Sequence, residues 1–198
     1  MSTRKLDRDD YLTDDEVRKL RRSCRDWDIA DRTVGRETGP NVWLVVDMAL
    51  STGLRVSELA ALIVWDIDYV NGAIRVQRRK KRTMVHEYIP LTPRLAEHLR
   101  DYLGKRDNGA IVEGQRGPLT RRGWQQAWLS ACRRAGVRPL SIHKARHTLA
   151  TVLYRCTHDL RLVQDQLGHS NPATTTIYAG VSFEDRAKGI EKAEQALG

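Results

Sequence analysis

The sequence predicts an α+β fold that is mainly helical and contains one small three-stranded antiparallel sheet. Two observations predict this class. Apolar residues recur at intervals of three and four through most of the chain, as on the buried face of a helix. One stretch, residues 64–91, instead alternates apolar with polar side chains, as a half-buried strand does. A chain of 198 residues is long enough for one substantial core. We therefore expect a single domain over residues 1–198, with its core beginning near residue 12.

The first helix is predicted by Thr13 and Glu16, which have the spacing of a capping box and precede apolar residues at helical intervals. The polar segment 26–40 is expected to be a loop. After it, a run of apolar residues predicts a buried helix that ends at Gly53. A short helix over residues 55–63 is expected to follow.

The sheet is predicted where three apolar residues alternate with two aspartates and are followed by Asn71-Gly72, a typical hairpin turn. The alternation then resumes, and Pro90 is expected to close the third strand. The rest of the chain has helical periodicity. The helices expected there cover residues 92–106, 119–136, 141–155, 159–168 and 182–197.

Charge and cysteine content limit the class of protein. Lys and Arg number 34 against 25 Asp and Glu, a formal net charge of +9, which favours a polyanionic partner and above all nucleic acid, although a soluble basic protein could have the same composition. The three cysteines have neither zinc-ligand spacing nor the pattern of a disulfide framework, so we expect reduced thiols and no metal site. No apolar run approaches the ~20 residues of a membrane span, and no signal peptide is evident. We expect a cytoplasmic protein with no membrane partner.

Two small groups of residues could bind an anion. His143 and Arg146 are three residues apart and so project from one face of a helix whose N-terminus Ser141 could cap. Arg55 stands at the start of a helix, where Glu58, one turn later, could hold its guanidinium. Each group taken alone is more often an ordinary structural pair.

The order and spacing of these groups resemble a known signature. His143-x-x-Arg146 follows Arg55, then comes Gly168-His169, and then Tyr178, with 23 positions from Arg146 to His169 and 9 from there to Tyr178. The pattern is similar to that of the tyrosine recombinases, the family of phage integrases and Xer chromosome-dimer resolvases. The resemblance covers the chain from about residue 12 to the C-terminus. It implies the helical catalytic domain of the tyrosine recombinase type.

The resemblance also implies a reaction. In this family a tyrosine, here Tyr178, attacks a DNA phosphodiester and forms a 3′-phosphotyrosyl intermediate, without a metal or nucleotide cofactor. The transition state carries extra negative charge, which cations must stabilise. Arg55 and Arg146 would bind the nonbridging oxygens, His169 would donate a further hydrogen bond, and His143 would assist the attack of the tyrosine. The expected activity is site-specific recombination, that is integration or excision.

A lysine of the hairpin between the second and third strands would protonate the leaving 5′-oxygen. Counting along the second strand selects Lys80, and counting back along the third leaves Lys81 open. Glu58 would orient a catalytic residue and would not itself react. Other basic side chains are expected to contact DNA phosphates, and these are Arg78, Arg79, Lys81, Arg82, Arg121 and Arg122. Trp124 and Trp128 are expected to pack inside the protein.

Double-stranded DNA is thus the expected partner. We expect the protein to be monomeric alone and to form a synaptic tetramer on DNA. The final helix, residues 182–198, would dock into a neighbouring protomer or pack on its own domain. We expect no N-terminal core-binding domain, and without one DNA binding would be weak and steeply salt-dependent.

Two other readings stay open: a catalytically idle DNA-binding regulator on the same scaffold, and a topoisomerase that also forms a 3′-phosphotyrosine. A hydrolytic nuclease is disfavoured because the sequence has no carboxylate cluster suited to Mg²⁺.

Overall fold

The computed structural model describes residues 8–80 and 83–168. The predicted class is confirmed, because these residues are mainly helical and contain a three-stranded antiparallel sheet. The helices are α1 (Asp14–Thr33), α2 (Thr38–Thr52), α3 (Val56–Leu59), α4 (Pro93–Leu103), α5 (Arg121–Arg134), α6 (His143–Thr157) and α7 (Leu160–Leu167). The strands are β1 (Ile67–Asp68), β2 (Ala73–Lys80), β3 (Thr83–Pro90), β4 (Glu113–Gly114) and β5 (Gly117–Pro118).

Helix α1 begins as predicted but is longer than expected. Thr13 and Glu16 form the capping box in both directions. The helix then continues to Thr33, and α2 begins at Thr38, so the predicted loop over residues 26–40 is wrong except for residues 34–37. Two buried aspartates of the last turns explain the difference: Asp28 pairs with Arg32 at 2.7 Å, and Oδ2 of Asp31 accepts the backbone N–H of Gly39 at 2.7 Å. Tertiary partners therefore stabilise acidic residues that looked like loop residues in the sequence.

Helix α2 is the centre of the core. It is buried along almost its whole length and packs against five other helices, α1, α3, α4, α5 and α6. The predicted stop at Gly53 is confirmed: this residue has φ 64°, a left-handed conformation that glycine adopts without strain. Helix α3 begins three residues later, at Val56, and has only four residues, fewer than expected.

The sheet has the order β1-β2-β3, and each strand is antiparallel to its neighbour. Gly72 has φ 61° in the turn before β2, in agreement with the predicted hairpin. On β2 the side chains of Ile74, Val76 and Arg78 are buried, whereas Arg75 lies on the outer face. One face of the sheet thus covers the core.

Helices α4 to α7 have the predicted positions, whereas the last predicted helix, residues 182–197, lies outside the described residues. Trp124 and Trp128 of α5 are buried, as predicted, and the indole N–H of Trp128 donates to the carbonyl of Leu140 at 2.8 Å. Helix α6 begins at His143, but the predicted side-chain cap by Ser141 is wrong, because Ile142 is the N-cap and no side chain caps the helix. The backbone carbonyl of Ser141 accepts from the N–H of Lys144.

Among the described residues no helix is long and apolar enough to cross a membrane. The three cysteines are unpaired. Cys24 and Cys132 are buried in the main core, and Cys156 is exposed on α6.

Candidate active site

Arg55 stands directly before α3, where Glu58 fixes it. Nη1 of Arg55 donates to Oε1 of Glu58 at 2.9 Å, and the backbone N–H of Arg55 donates to Oε2 at 2.8 Å. Glu58 is buried, whereas the side chain of Arg55 is 43% exposed. One carboxylate therefore orients both the main chain and the side chain of an arginine that still faces solvent.

Arg146 is a buried cation held between two helix ends. It is 2% exposed, and its Nη1 donates to the carbonyl of Gly53 at 2.8 Å while Nη2 donates to the carbonyl of Leu167 at 2.7 Å. Gly53 directly follows α2, and Leu167 is the last residue of α7. Because carbonyl groups at helix C-termini carry partial negative charge, both partners favour a cation. The two bonds connect α6 to the ends of α2 and α7.

His143 occupies the first turn of α6, on the exposed side. Partial burial of its ring lowers its pKa from the usual 6.5, and the positive charges of Arg146, Arg55 and Lys144 lower it further. The imidazole is therefore neutral at pH 7 and can accept a proton. The bond from Arg146 to the carbonyl of Gly53, two residues before Arg55, and the position of His143 one turn before Arg146 on α6 bring these three predicted catalytic residues into one region.

Arg78 does not have the position expected of a DNA phosphate contact. It lies on β2 and is 2% exposed. Its Nη1 donates to Oε2 of Glu87 on β3 at 2.7 Å, and its Nη2 donates to the carbonyl of Gln166 on α7 at 2.9 Å. Nε lies 3.9 Å from Oε1 of Glu58. The guanidinium therefore faces the protein interior, and these partners compensate its buried charge. The prediction that Arg78 contacts a DNA phosphate is wrong, because the side chain is not at the surface.

Gly168 ends α7 in a left-handed conformation with φ 64°. A Cβ atom at this position would collide with Nη1 of Arg78. Two features therefore favour glycine at position 168: the backbone conformation, which glycine adopts without strain, and the close approach of Arg78, which leaves no room for a side chain. The other end of α7 is capped by Asp159, whose Oδ1 accepts the N–H groups of Arg161 and Leu162.

The segment before α1 is anchored to α6. Asp10 pairs with Lys144 at 2.7 Å, and the N–H of Leu12 donates to Oγ1 of Thr148 at 2.9 Å. The start of the described chain is thus bonded to the helix that carries His143 and Arg146.

A second anchor joins the same segment to the loop before α6. Nε of Arg138 donates to Oε1 of Glu16 at 2.7 Å, and Nη1 of Arg138 donates to Asp9 at 2.8 Å. The hydrogen bond from Arg138 lowers the pKa of Glu16 to about 2 despite the opposing effect of burial. These ion pairs hold the loop that leads into α6.

The remaining predicted residues fall into three groups. Lys80 is the last residue of β2 and pairs with Thr83 across the hairpin, with Arg79 just before it. Arg121 and Arg122 are exposed on the first turn of α5. Four predicted residues lie outside the described residues, and these are Lys81, Arg82, His169 and Tyr178. Within residues 8–80 and 83–168 no group of three or more His, Cys, Asp or Glu side chains could hold a metal ion.

Sequence reasoning missed the partners that fix the site. The carbonyls of Gly53, Gln166 and Leu167 bind Arg78 and Arg146, and backbone acceptors leave no mark in a sequence because every residue has one. The helical periodicity and the C-terminal glycines gave the only available signal, since they place helix ends where these carbonyls are exposed.

Comparison with known proteins identifies the family. The model described as the phage integrase family matches residues 10–185. The tyrosine recombinase XerA of Thermococcus kodakarensis is 36% identical over 157 residues, which cover 76% of this chain and 55% of that protein. The tyrosine recombinase XerC of Chlamydia caviae is 30% identical over 167 residues, which cover 79% of this chain and 52% of that protein. The chain therefore belongs to the phage integrase family.

Solved structures agree on the fold. A crystal structure of XerA recombinase matches with a TM-score of 0.72 at 24% identity, over 92% of this chain and 62% of that one. The integrase of the Tn1549 transposon, in complex with circular intermediate DNA, matches with a TM-score of 0.73 at 18% identity, over 93% of this chain and 66% of that one. The chain spans about half the length of the curated relatives described above.

Proposed function

We propose that the chain catalyses site-specific DNA recombination by cleaving and rejoining strands through a 3′-phosphotyrosyl intermediate at Tyr178. The observation that carries the proposal is the hydrogen bond from Arg146 to the carbonyl of Gly53, which brings α6, with His143 and Arg146, next to Arg55 from a segment nearly 90 residues away in the chain. Family membership and relatives that are named tyrosine recombinases support it.

The proposed reaction is an in-line displacement at phosphorus. The phenol oxygen of Tyr178 forms a bond to phosphorus while the bond from phosphorus to the 5′-oxygen breaks. His143, neutral at pH 7, assists removal of the phenol proton. The hairpin lysine, Lys80 or the alternative Lys81, gives a proton to the leaving oxygen. Arg55 and His169 stabilise the charge of the phosphorane-like transition state by direct contact, and Arg146, whose buried guanidinium binds the carbonyls of Gly53 and Leu167, adds its positive charge to the site.

Glu58 acts through Arg55. Its carboxylate is buried and binds Arg55 at two points, so it fixes the direction of the guanidinium and is a positioning residue. Phosphate contacts outside the site are proposed for exposed or hairpin cations, namely Arg79, Lys81, Arg82, Arg121 and Arg122.

Double-stranded DNA is the proposed partner. The Tn1549 integrase with circular intermediate DNA and a lambda integrase dimer bound to a core site are structural neighbours that were solved with DNA. We further propose that the chain is one catalytic domain, monomeric alone and tetrameric on paired sites, with residues 182–198 docking on a neighbouring protomer or on their own domain. It would act at the nucleoid in the cytoplasm, without metal or nucleotide.

The test uses a pool of nicked duplexes of randomised sequence, in which cleavage releases a short fragment and traps the covalent product. Wild-type protein is expected to give a shifted protein band on a denaturing gel. Tyr178→Phe should abolish the band because it removes the nucleophilic oxygen, and Tyr88→Phe, on the exposed face of β3, should retain it. Sequencing the captured DNA yields a cleavable duplex for later experiments.

The other outcomes identify the competing functions. DNA binding with no covalent band in any variant would make the protein an idle regulator. Relaxation of supercoiled plasmid by monomeric protein at low salt, with no need for paired sites, would make it a topoisomerase. Either outcome contradicts recombination.

A further inference from the structure

The guanidinium of Arg78 joins three elements that the proposed reaction uses. It binds Glu87 on β3, the last turn of α7 through the carbonyl of Gln166, and it approaches Glu58, which holds Arg55. We infer that Arg78 is a positioning residue that holds the lysine hairpin against α7 and Glu58. The inference rests on the proposed function and adds a residue to its machinery.

The geometry requires an arginine. The planar guanidinium sends separate N–H groups toward Glu87, 2.7 Å away, and toward the carbonyl of Gln166, 2.9 Å away. A lysine offers one compact ammonium group and cannot span the two partners in the same way. Because Arg78 is 2% exposed, water cannot replace a lost partner easily.

Arg78 and its partners lie close in the chain, or bind directly, to the proposed catalytic residues. Lys80 lies two residues farther along β2, at the end of the described hairpin strand. Glu58 accepts two hydrogen bonds from Arg55. Gln166 precedes Gly168, which is followed in sequence by His169. A shift of the Arg78 guanidinium would therefore displace the hairpin relative to the residues that bind phosphate.

The fit between Arg78 and Gly168 gives the inference independent support. The space that a Cβ atom at position 168 would fill is taken by Nη1 and the rest of the guanidinium. Helix α7 thus ends on a residue small enough to admit this arginine. A hairpin that merely packed on the core would not need such a match at the turn before His169.

Arg75 provides a matched control on the same strand. Its Nε donates to Oδ1 of Asp66 at 2.9 Å, but its side chain is 40% exposed and lies on the outer face of the sheet. Arg75 and Arg78 are therefore the same residue type on the same strand, and each has an acidic partner of its own. They differ in the connection to α7 and Glu58.

The experiment measures single-turnover cleavage of a nicked duplex captured by the wild-type protein, and of the same duplex with sulfur in place of the 5′-bridging oxygen. The variants are Arg78→Lys, Arg75→Lys and Glu87→Gln. With oxygen, the nucleophile–phosphorus bond forms, the phosphorus–oxygen bond breaks and the leaving oxygen takes a proton from the hairpin lysine. With sulfur, the phosphorus–sulfur bond breaks and a thiolate leaves without a proton, because thiols are much stronger acids than alcohols.

If Arg78 positions the proton donor, Arg78→Lys should lower cleavage of the oxygen duplex about a hundredfold, the cost of a misplacement near 1 Å. It should recover most of the rate on the sulfur duplex and still bind DNA as wild type does. Arg75→Lys should cleave both duplexes at wild-type rates. Glu87→Gln keeps Arg78 but weakens its anchor, and should show a smaller loss that sulfur also rescues.

Equal cleavage rates for Arg78→Lys and Arg75→Lys would overturn the inference. It would also be overturned if Arg78→Lys unfolds at the wild-type temperature but cleaves the sulfur duplex as slowly as the oxygen duplex. If Arg78→Lys does not fold, Glu87→Gln decides in the same way, because it retains the buried cation. Failure of the proposed function itself is seen separately, as the absence of any covalent band with wild-type protein.

Discussion

Arg78 and Arg146 donate to the carbonyls of successive residues on the last turn of α7. Arg78 comes from β2 and binds the carbonyl of Gln166, and Arg146 comes from α6 and binds the carbonyl of Leu167. Both arginines are 2% exposed. Carbonyls at a helix C-terminus carry partial negative charge, so two cations are stabilising there. Two distant parts of the chain thus fix the turn that leads to His169.

The first prediction concerns the glycine that ends this turn. Gly168→Ala should displace the Arg78 guanidinium and also place an alanine at φ 64°. We expect loss of DNA cleavage by about tenfold or more, since small misplacements at an active site lower rates strongly. Gly136→Ala is the control, because Gly136 has φ 62° after α5 but open space around its Cβ position.

Both substitutions carry the cost of a left-handed alanine, about 1 kcal/mol or more. Chemical unfolding should therefore show the larger destabilisation for Gly168→Ala, and the cleavage assay should show a defect for Gly168→Ala alone. Equal effects of the two variants in both measurements would mean that the fit to Arg78 has no importance.

Local signals in the sequence predict a large part of this fold. Thr13 and Glu16 mark the start of α1, Gly53 marks the end of α2, and Asn71-Gly72 marks the hairpin turn. Each of these features depends on neighbouring residues, which the sequence displays directly. The length of α1 could not be predicted in the same way, because the partners that stabilise its last turns include Gly39, beyond the helix.

In the candidate site, too, the features set by neighbouring residues could be predicted and those set by distant contacts could not. The spacing of His143 and Arg146 predicts a shared helix face, and the structure has both on α6. Arg78 belongs to a run of five basic residues, a pattern typical of a solvated surface, and its burial depends on Glu87 and on α7, 88 residues away. Contacts of this range have no local sequence signal, so the role of Arg78 becomes visible only in the structure.

The second prediction concerns Asp47, a fully buried carboxylate of α2. Nη1 and Nη2 of Arg94 donate to it at 3.0 and 2.6 Å, and Nδ1 of His98 lies 2.8 Å from Oδ2. Burial raises the pKa of Asp47, but the hydrogen bonds from His98 and Arg94 outweigh burial and bring the pKa to about 2. Asp47→Asn should destabilise the protein by about 3 kcal/mol, because it removes the charge that compensates Arg94 and Arg21.

Chemical unfolding at pH 7 measures this change. Asp15→Asn is the matched control, since Asp15 pairs with Arg18 on α1 where both side chains are more than 70% exposed. An exposed pair contributes no more than about 1 kcal/mol. A loss for Asp47→Asn no greater than that for Asp15→Asn would contradict the importance of the buried cluster.

The third prediction concerns thiol reactivity. Burial raises the pKa of Cys24 to about 12 and that of Cys132 to about 12, and both side chains are inaccessible in the core. Because the thiolate is the reactive form, neither should react in the folded protein. Cys156 is exposed on α6 and should be alkylated by iodoacetamide at pH 8. Peptide mass spectrometry should find one modified cysteine in the native protein and three after denaturation, and Cys156→Ser should leave none in the native protein.

The last prediction concerns acid sensitivity. Burial lowers the pKa of His147 to about 4, with further contributions from His143 and Lys144, whereas Asp10 opposes the shift. In the unfolded chain the imidazole has a pKa near its reference value of about 6.5. Between these two values the unfolded state binds a proton that the folded state does not, so stability falls as the pH decreases through this window.

The free energy of unfolding, measured with urea, should therefore be lower at pH 5 than at pH 7, and His147 should account for about 1–2 kcal/mol of the decrease. Carboxylates with a lowered pKa, such as Glu16, respond mainly below pH 4.5, outside this interval. His147→Gln should reduce the difference between the two pH values, whereas His86→Gln, exposed on β3, should leave it as in wild type. The comparison uses differences within each variant, so a uniform loss of stability on substitution does not affect it. A pH dependence that is identical in wild type and His147→Gln would show that this half-buried imidazole is not the acid-sensitive group.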